Sequence, residues 1–410
     1  MITLTDYQQR AYPLWKENGY RGIIKSPTGS GKTILGCECI RLFRQEHPDT
    51  KIVIVTTAGG KEKKVKNAWI KELKNFGIDN VEVYTYLEAG NVMRKKRNEE
   101  FLERYDGEDP RKMFIDNTGV FDRVKEKVCD KPMYDLMIAD ECHRLANPEE
   151  GKVMGMNPFF ILGLSATPED SVKILGRPID NISVDEARVC PFTVHMLRYD
   201  PTPEEMVWYE KKDKAMKEWA VERGAPEDKP YLIPGSDPLY DRLIRERREI
   251  CYTFGSRIPI VVRLVKKHHG ERIVIFTERT EHAHLIEMAL RQEGIPCSMN
   301  VKDKNTFKDF EEHKTNVLIM VKSLREGWDD PTLSVCIMAS LTTRPKIITQ
   351  TMGRTMRINP SNPNKHAHNY LILANKTSDE RVKDNLDYPK DRFKEDTLQT
   401  VFAKTLEEWT

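Results

Sequence analysis

Short apolar runs recur through the first half of the chain and again after residue 270, with amphipathic stretches between them. Runs at residues 22–25, 51–57, 81–86, 134–140 and 159–165 are too short for ordinary helices and rich in Ile, Val and Leu. That combination predicts buried strands. The segment at 33–44, and the spacing of Val65, Trp69, Ile70 and Leu73, predict helices. Strand and helix in alternation imply a parallel sheet. A second series follows: strands at 272–277, 316–321, 333–338 and 370–374, with a helix at 281–292. The expected fold class is therefore α/β, with two tandem parallel-sheet units. The first is expected at 1–195 and the second at 263–375. Between them, 196–262 reads as a connector of two charged amphipathic helices around a Pro- and Gly-rich loop, and 376–410 as a polar, helical tail.

The candidate chemistry begins at Ser26-Pro27-Thr28-Gly29-Ser30-Gly31-Lys32-Thr33, set between the first strand and the first strongly periodic helix. Strand, glycine loop and helix in that order make a phosphate cradle. Gly29 and Gly31 let backbone N–H groups turn inward, and the positive end of the helix faces the same spot. Lys32 is placed to reach the β- and γ-phosphates, and the Thr33 hydroxyl to hold Mg²⁺. The strict pattern has Gly six positions before the lysine, where this chain has Ser26. The strand at 134–140 ends in Asp140-Glu141-Cys142-His143. An acidic pair at a strand end downstream of a phosphate loop suits Asp140 as a Mg²⁺ ligand and Glu141 as the residue that orients or deprotonates water. Ser165-Ala166-Thr167 closes the next strand. Arg354 and Arg357 sit three apart, so on a helix they share a face, and two guanidiniums there suit a γ-phosphate.

Other features read more plainly. Gln8 carries an amide that could grip an adenine edge, against the alternative of an ordinary surface glutamine. The Lys-rich stretch at 61–74 reads equally as a solvated helix face or as a phosphate-backbone contact. Lys and Arg nearly balance Asp and Glu, for a formal charge of +2, so net charge by itself announces no nucleic acid. The eight cysteines contain no Cys-x-x-Cys pair, which argues against a zinc site or a disulfide framework and for a reducing cytoplasm. No apolar run reaches membrane-spanning length, and the N-terminus has no basic-then-apolar leader. The expectation is a cytoplasmic protein (host cytoplasm if viral) with no membrane partner.

Taken in order, these motifs resemble those of superfamily 2 helicases of the DExH type across roughly residues 1–375. Gln8 resembles the adenine-reading glutamine, and residues 26–33 motif I. Val55-Thr56-Thr57-Ala58 resembles motif Ia, Asp140 to His143 motif II, and Ser165 to Thr167 motif III. Ile275-Phe276-Thr277 is similar to motif IV, Gly327-Trp328-Asp329-Asp330-Pro331 to motif V, and Gln350 to Arg357 to motif VI. Trp69, Glu72 and the run from Arg144 to Asn147 resemble the duplex-DNA branch. That branch includes restriction-enzyme motor subunits and phage recombination helicases resembling UvsW.

The resemblance implies two RecA-like domains with ATP between them. It implies that Gly327 and Asp329 join the nucleotide site, and that His143, Ser165, Thr167 and Gln350 couple it to a strand-binding face. On that face Thr57, Lys61, Lys63 and Thr277 are the candidate contacts. The leading expectation is an ATP-dependent helicase or translocase on duplex or branched DNA. An RNA helicase and a nucleotide switch without motor activity stay open. A remodelling ring ATPase is disfavoured, because both arginines are supplied by the same chain. The protein is expected to be a monomer in solution, with association to a nuclease or recombination partner left open.

Overall fold

A computed structural model describes residues 4–58, 63–104, 132–187, 189–225, 238–301, 306–321, 328, 330–342, 345–386 and 390–398. The chain packs as two units and crosses from the first to the second at Cys190.

The first unit runs α1 (Asp6–Glu17), β1 (Arg21–Lys25), α2 (Lys32–Glu46), β2 (Ile52–Thr56), α3 (Lys64–Asn75), β3 (Val81–Thr85) and α4 (Tyr86–Arg104). It continues with β4 (Leu136–Asp140), β5 (Phe160–Ser165), the single turn α5 (Val172–Leu175) and β6 (Pro178–Asn181). Its six strands lie in the order β3-β2-β4-β5-β1-β6, all parallel. Every residue of β2 and β4 is buried, as a sheet covered on both faces requires. One face packs on α1, α2 and α3 through Trp15, Leu35, Ile40, Phe43 and Trp69. The other packs on α4 and the irregular segment after β4 through Tyr86, Met93, Leu145 and Val153. The strand order decides where chemistry can gather. It puts β5 between β1, which feeds the glycine loop, and β4, which ends in Asp140.

The second unit runs β7 (Phe192–Tyr199), α6 (Pro203–Glu222), α7 (Pro238–Tyr252), α8 (Arg257–Lys267), β8 (Arg272–Thr277), α9 (Thr280–Gln292) and β9 (Cys297–Asn300). Then come α10 (Phe307–Glu311), β10 (Val317–Val321), β11 (Leu333–Met338), α11 (Pro345–Met352), β12 (Ala367–Ala374) and β13 (Phe393–Leu398). Seven parallel strands lie in the order β13-β7-β12-β11-β8-β10-β9. Both units are thus parallel α/β sheets, as expected from the alternation.

Three expectations about organisation change. The boundary set at 195 falls inside β7, which pairs with β12 along its whole length and belongs to the second sheet. The pair of helices set apart as a connector is built into the second unit's core through Tyr209, Cys251 and Phe254. The stretch at 376–410, read as helical, contributes β13, which pairs with β7 at the sheet edge. The helices themselves form where the sequence directs. Thr202-Pro203-Glu204-Glu205 starts α6 with a reciprocal box: the Glu205 amide donates to Thr202 Oγ1 at 3.3 Å, and the Thr202 amide to Glu205 Oε2 at 2.9 Å.

A buried cation locks this unit together. Arg257, fully buried on α8, donates through Nε to the Tyr199 hydroxyl at 2.9 Å and through Nη2 to Asp379. Asp379 also accepts the Ala374 amide at 3.3 Å. Strands β7 and β12, helix α8 and the segment after β12 therefore meet at one ion pair. Asp379→Asn leaves the guanidinium in the interior without a counter-charge, and stability should fall by about 3–5 kcal/mol. An earlier urea midpoint for the second unit is the expected readout; an unchanged midpoint would show that the charge is met elsewhere.

Candidate functional site

The candidate site lies at the carboxyl ends of β1, β2, β4 and β5, where open parallel sheets bind ligands. The loop after β1 has the backbone that its glycines predict. Gly29 and Gly31 both have φ of +85°, a left-handed conformation costly for other residues. A Cβ at Gly31 would also lie 2.8 Å from Gln8 Nε2. Gly31 stands at the N-cap of α2, so no side chain there accepts from the first helical N–H groups. The Ser26 and Ser30 hydroxyls bond each other at 2.9 Å, and the Ser26 amide donates to Ser165 O at 3.0 Å. This serine pair at the loop base helps to show why Ser26 serves where the strict pattern has glycine.

The lysine folds over its own loop. Lys32 Nζ donates to the carbonyls of Ser26 and Pro27, both at 3.4 Å, and lies 3.8 Å from Glu141 Oε1. Thr28 in that loop and Thr33 in the first turn of α2 are partly buried. Helix α1 braces it from outside. Gln8 accepts the Thr5 amide at 3.0 Å and donates to Gly31 O at 3.3 Å, while the Tyr7 hydroxyl donates to Ser30 O. The amide expected to read adenine therefore ties a helix start to the phosphate loop. Tyr7 was not singled out in the sequence, since one tyrosine at a helix start carries no pattern.

The acidic pair closes β4. Asp140 is buried and accepts at Oδ2 from Trp69 Nε1 and from the Thr56 hydroxyl, each at 2.8 Å. Burial, reinforced by the neighbouring Glu141, raises its pKa above the ordinary carboxylate value; the two donors and Lys32 oppose that rise. Glu141 adopts φ +53° and ψ +49°, rare for a residue with a side chain. The Tyr86 hydroxyl steadies this turn by donating to Asp140 O at 2.9 Å. His143 Nδ1 lies 3.1 Å from Ser165 Oγ and 3.3 Å from Glu141 Oε2. Ser165 Oγ accepts the Thr167 amide at 3.1 Å. Lys32, Asp140, Glu141, His143, Ser165 and Thr167 are thus brought together within one unit.

The remaining expected residues are placed differently. Thr57 and Thr277 are buried, and Thr277 Oγ1 bonds His282 Nδ1 at 2.9 Å and Ser340 Oγ at 3.1 Å. Their hydroxyls are thus turned into the fold, and contact of these two residues with nucleic acid stays a proposal. Lys63 is ion-paired with Glu88, which also takes Lys66 at 2.9 Å. Against the cost of burial, the two lysines and the Thr85 amide hold Glu88 down to about 2. Lys63 and Lys66 at the start of α3 are therefore already matched by a carboxylate. Lys61, Gly327 and Asp329 lie outside the described residues.

In the second unit, α11 carries Gln350 and ends at Met352, so Arg354 and Arg357 stand on the turns after the helix rather than on it. Those turns are pinned. Thr355 Oγ1 bonds Met352 O at 2.7 Å and Asn369 Oδ1 at 2.9 Å, the Cys190 amide donates to Met356 O at 2.9 Å, and Lys365 Nζ donates to Arg357 O at 2.8 Å.

A left-handed glycine loop, a helix start and an acidic strand end on a parallel sheet define a P-loop nucleoside triphosphatase, followed here by a second parallel-sheet unit. Family comparison places it further. Residues 1–170 match the model described as type III restriction enzyme, res subunit, and residues 256–359 the model described as helicase conserved C-terminal domain. Together the two cover more than half of the chain. The chain belongs to the superfamily 2 helicases and is an ATP-hydrolysing enzyme.

Solved structures with the same fold include the ATP-dependent Type ISP restriction-modification enzyme LlaBIII bound to DNA. It is 15% identical with a TM-score of 0.56, over 99% of this chain and 32% of that one, so the chain spans about a third of that enzyme. Dbp5 of S. cerevisiae bound to RNA and ADP BeF3 is 15% identical with a TM-score of 0.54, over 97% of this chain and 90% of that one. The Hef helicase domain of Pyrococcus furiosus is 15% identical with a TM-score of 0.52, over 93% and 97%. These likenesses bear out the tandem RecA-like fold. No curated protein matches the chain. Among the described residues no helix is long and apolar enough to cross a membrane.

Proposed function

We propose that this chain is an ATP-driven helicase or translocase whose track is DNA, duplex or branched. The activity in its general form, ATP-dependent movement on or unwinding of nucleic acid, follows from the family. The choice of DNA rests on the match of residues 1–170 to the type III restriction enzyme res subunit, together with Trp69 and Glu72 after the strand β2. The fold neighbour Dbp5, bound to RNA, supports the competing track.

In this reading the phosphates of ATP replace the carbonyls of Ser26 and Pro27 as partners of Lys32, and the loop amides from Gly29 to Thr33 receive their oxygens. The site suits Mg²⁺: Thr33 offers a hydroxyl and Asp140 a carboxylate already oriented by two donors. Mg²⁺, when bound, would neutralise charge on the β- and γ-phosphate oxygens. Glu141 orients the attacking water. His143, Ser165 and Thr167 relay the state of that carboxylate to the strand ends, with Gln350 in the second unit serving the same coupling. Arg354 and Arg357 supply cations to the γ-phosphate, and Gly327 and Asp329 complete the nucleotide site.

The test compares ATP turnover alone and with single-stranded DNA, duplex DNA, forked or four-way DNA, and RNA. Stimulation by duplex or branched DNA is expected. Stimulation by RNA only would overturn the DNA reading, and no stimulation by any polymer would favour a nucleotide switch.

A further inference from the structure

Helix α3 reaches the candidate ATP site through Trp69. Trp69 is fully buried, and its ring lies against α2: a Cβ added to Gly36 would meet Trp69 Cη2 at 2.4 Å. The same indole donates its N–H to Asp140 Oδ2 at 2.8 Å. The Thr56 hydroxyl, from the end of β2, donates to that same oxygen at 2.8 Å. Both donors engage Oδ2 and neither engages Oδ1. A buried tryptophan N–H needs an acceptor, yet most find a backbone carbonyl, as Trp15 does with Ile161 O at 3.1 Å. Here the acceptor is the carboxylate proposed to meet the metal.

We propose that Trp69 and Thr56 form a two-donor clamp that fixes the Asp140 carboxylate, reserving Oδ1 for the divalent cation, so that α3 sets the cation affinity of the ATP site. Outer partners of this kind orient a ligand that is otherwise free to rotate, and losing one costs roughly 10- to 100-fold in metal affinity. The arrangement has a second consequence. Gly36 lets the Trp69 ring lie directly on α2, so that one rigid ring touches both the phosphate-loop helix and the carboxylate. Both residues are positioning residues.

The inference rests on the metal role proposed for Asp140, and its test separates the two. Binding of a fluorescent, non-hydrolysable ATP analogue is titrated with MgCl₂ in the full-length wild type and in Trp69→Phe, Thr56→Val and Thr56→Ser. Trp69→Phe keeps an aromatic side chain at the position and removes the N–H together with the benzo edge that meets Gly36. The magnesium concentration for half-maximal binding should rise about tenfold or more in Trp69→Phe and Thr56→Val. It should return toward wild type in Thr56→Ser, which keeps the hydroxyl, and binding in EDTA should be unchanged in all. Direct Mn²⁺ titration followed by electron paramagnetic resonance should show the same order. Equal weakening with and without magnesium would assign both residues to packing and overturn the clamp. Unchanged magnesium dependence in both variants, with normal dependence in the wild type, would overturn the clamp alone. A wild type with no magnesium dependence would remove the metal role of Asp140 as well.

Discussion

Glu141→Gln should bind ATP about as well as the wild type and hydrolyse it about 10²- to 10⁴-fold more slowly, the range for loss of a positioned acid–base group. The variant keeps the shape of the side chain and removes its charge and basicity. Geometry makes the residue a specific choice. Its backbone is held left-handed, its neighbour's carbonyl takes the Tyr86 hydroxyl, and its carboxylate lies 3.8 Å from Lys32 Nζ and 3.3 Å from His143 Nδ1. A non-glycine residue in that conformation costs of order 1–3 kcal/mol and persists where the surroundings over-determine it. The strain aims the carboxylate back over the phosphate loop, toward Lys32, instead of leaving it along the strand. Turnover in the presence of a stimulating nucleic acid, set beside equilibrium binding of a fluorescent ATP analogue, separates the two effects. Fast hydrolysis by the variant would mean that another group orients the water.

That site was largely legible in the chain because its parts are local. Glycine loop, acidic pair and Ser-Ala-Thr tip each follow an apolar run, and a parallel sheet necessarily gathers the ends of its strands. What could not be read were the partners supplied from a distance. Nothing at Trp69 distinguishes a core tryptophan at helical spacing from one that also donates to a carboxylate 71 positions on. Likewise, Arg257 and Asp379 are separated by 122 positions, and the latter sits in a stretch without periodicity.

Strand β13 escaped for another reason. Phe393-Lys394-Glu395-Asp396-Thr397-Leu398 has the charged character of an edge strand, which discourages pairing with other chains and also hides the alternation that marks a strand. The misplaced boundary has a third cause. No strand is predicted over residues 192–199, where His195 and Arg198 interrupt the apolar positions, and such a run does not say which sheet receives it. Register with β12 decided that question.

Arg354→Ala should lose about 10³-fold or more of nucleic-acid-stimulated turnover, the range for removal of an arginine finger, while ATP binding weakens far less. The argument starts from the backbone. Gly353 follows the end of α11, and the next turns do not wander: Thr355 is bonded to Asn369 on β12, Met356 O to the Cys190 amide, and Arg357 O to Lys365. Five residues from helix end to second arginine are therefore held against the sheet, so the guanidiniums are presented from a rigid base and little entropy is lost when they engage an anion. Arg354→Lys keeps the charge and loses the planar fork; if the fork matters, it should recover only a small part of the activity. Thr355→Val removes the bond to Asn369 without touching either guanidinium. A loss there in turnover but not in ATP binding would show that the pinned turn, and not charge alone, is required. Because Arg354 belongs to the second unit and the phosphate loop to the first, the result also decides whether one ATP is served by residues of both. Near-normal turnover in Arg354→Ala would exclude that residue from the reaction and leave the first unit to act on the γ-phosphate without it.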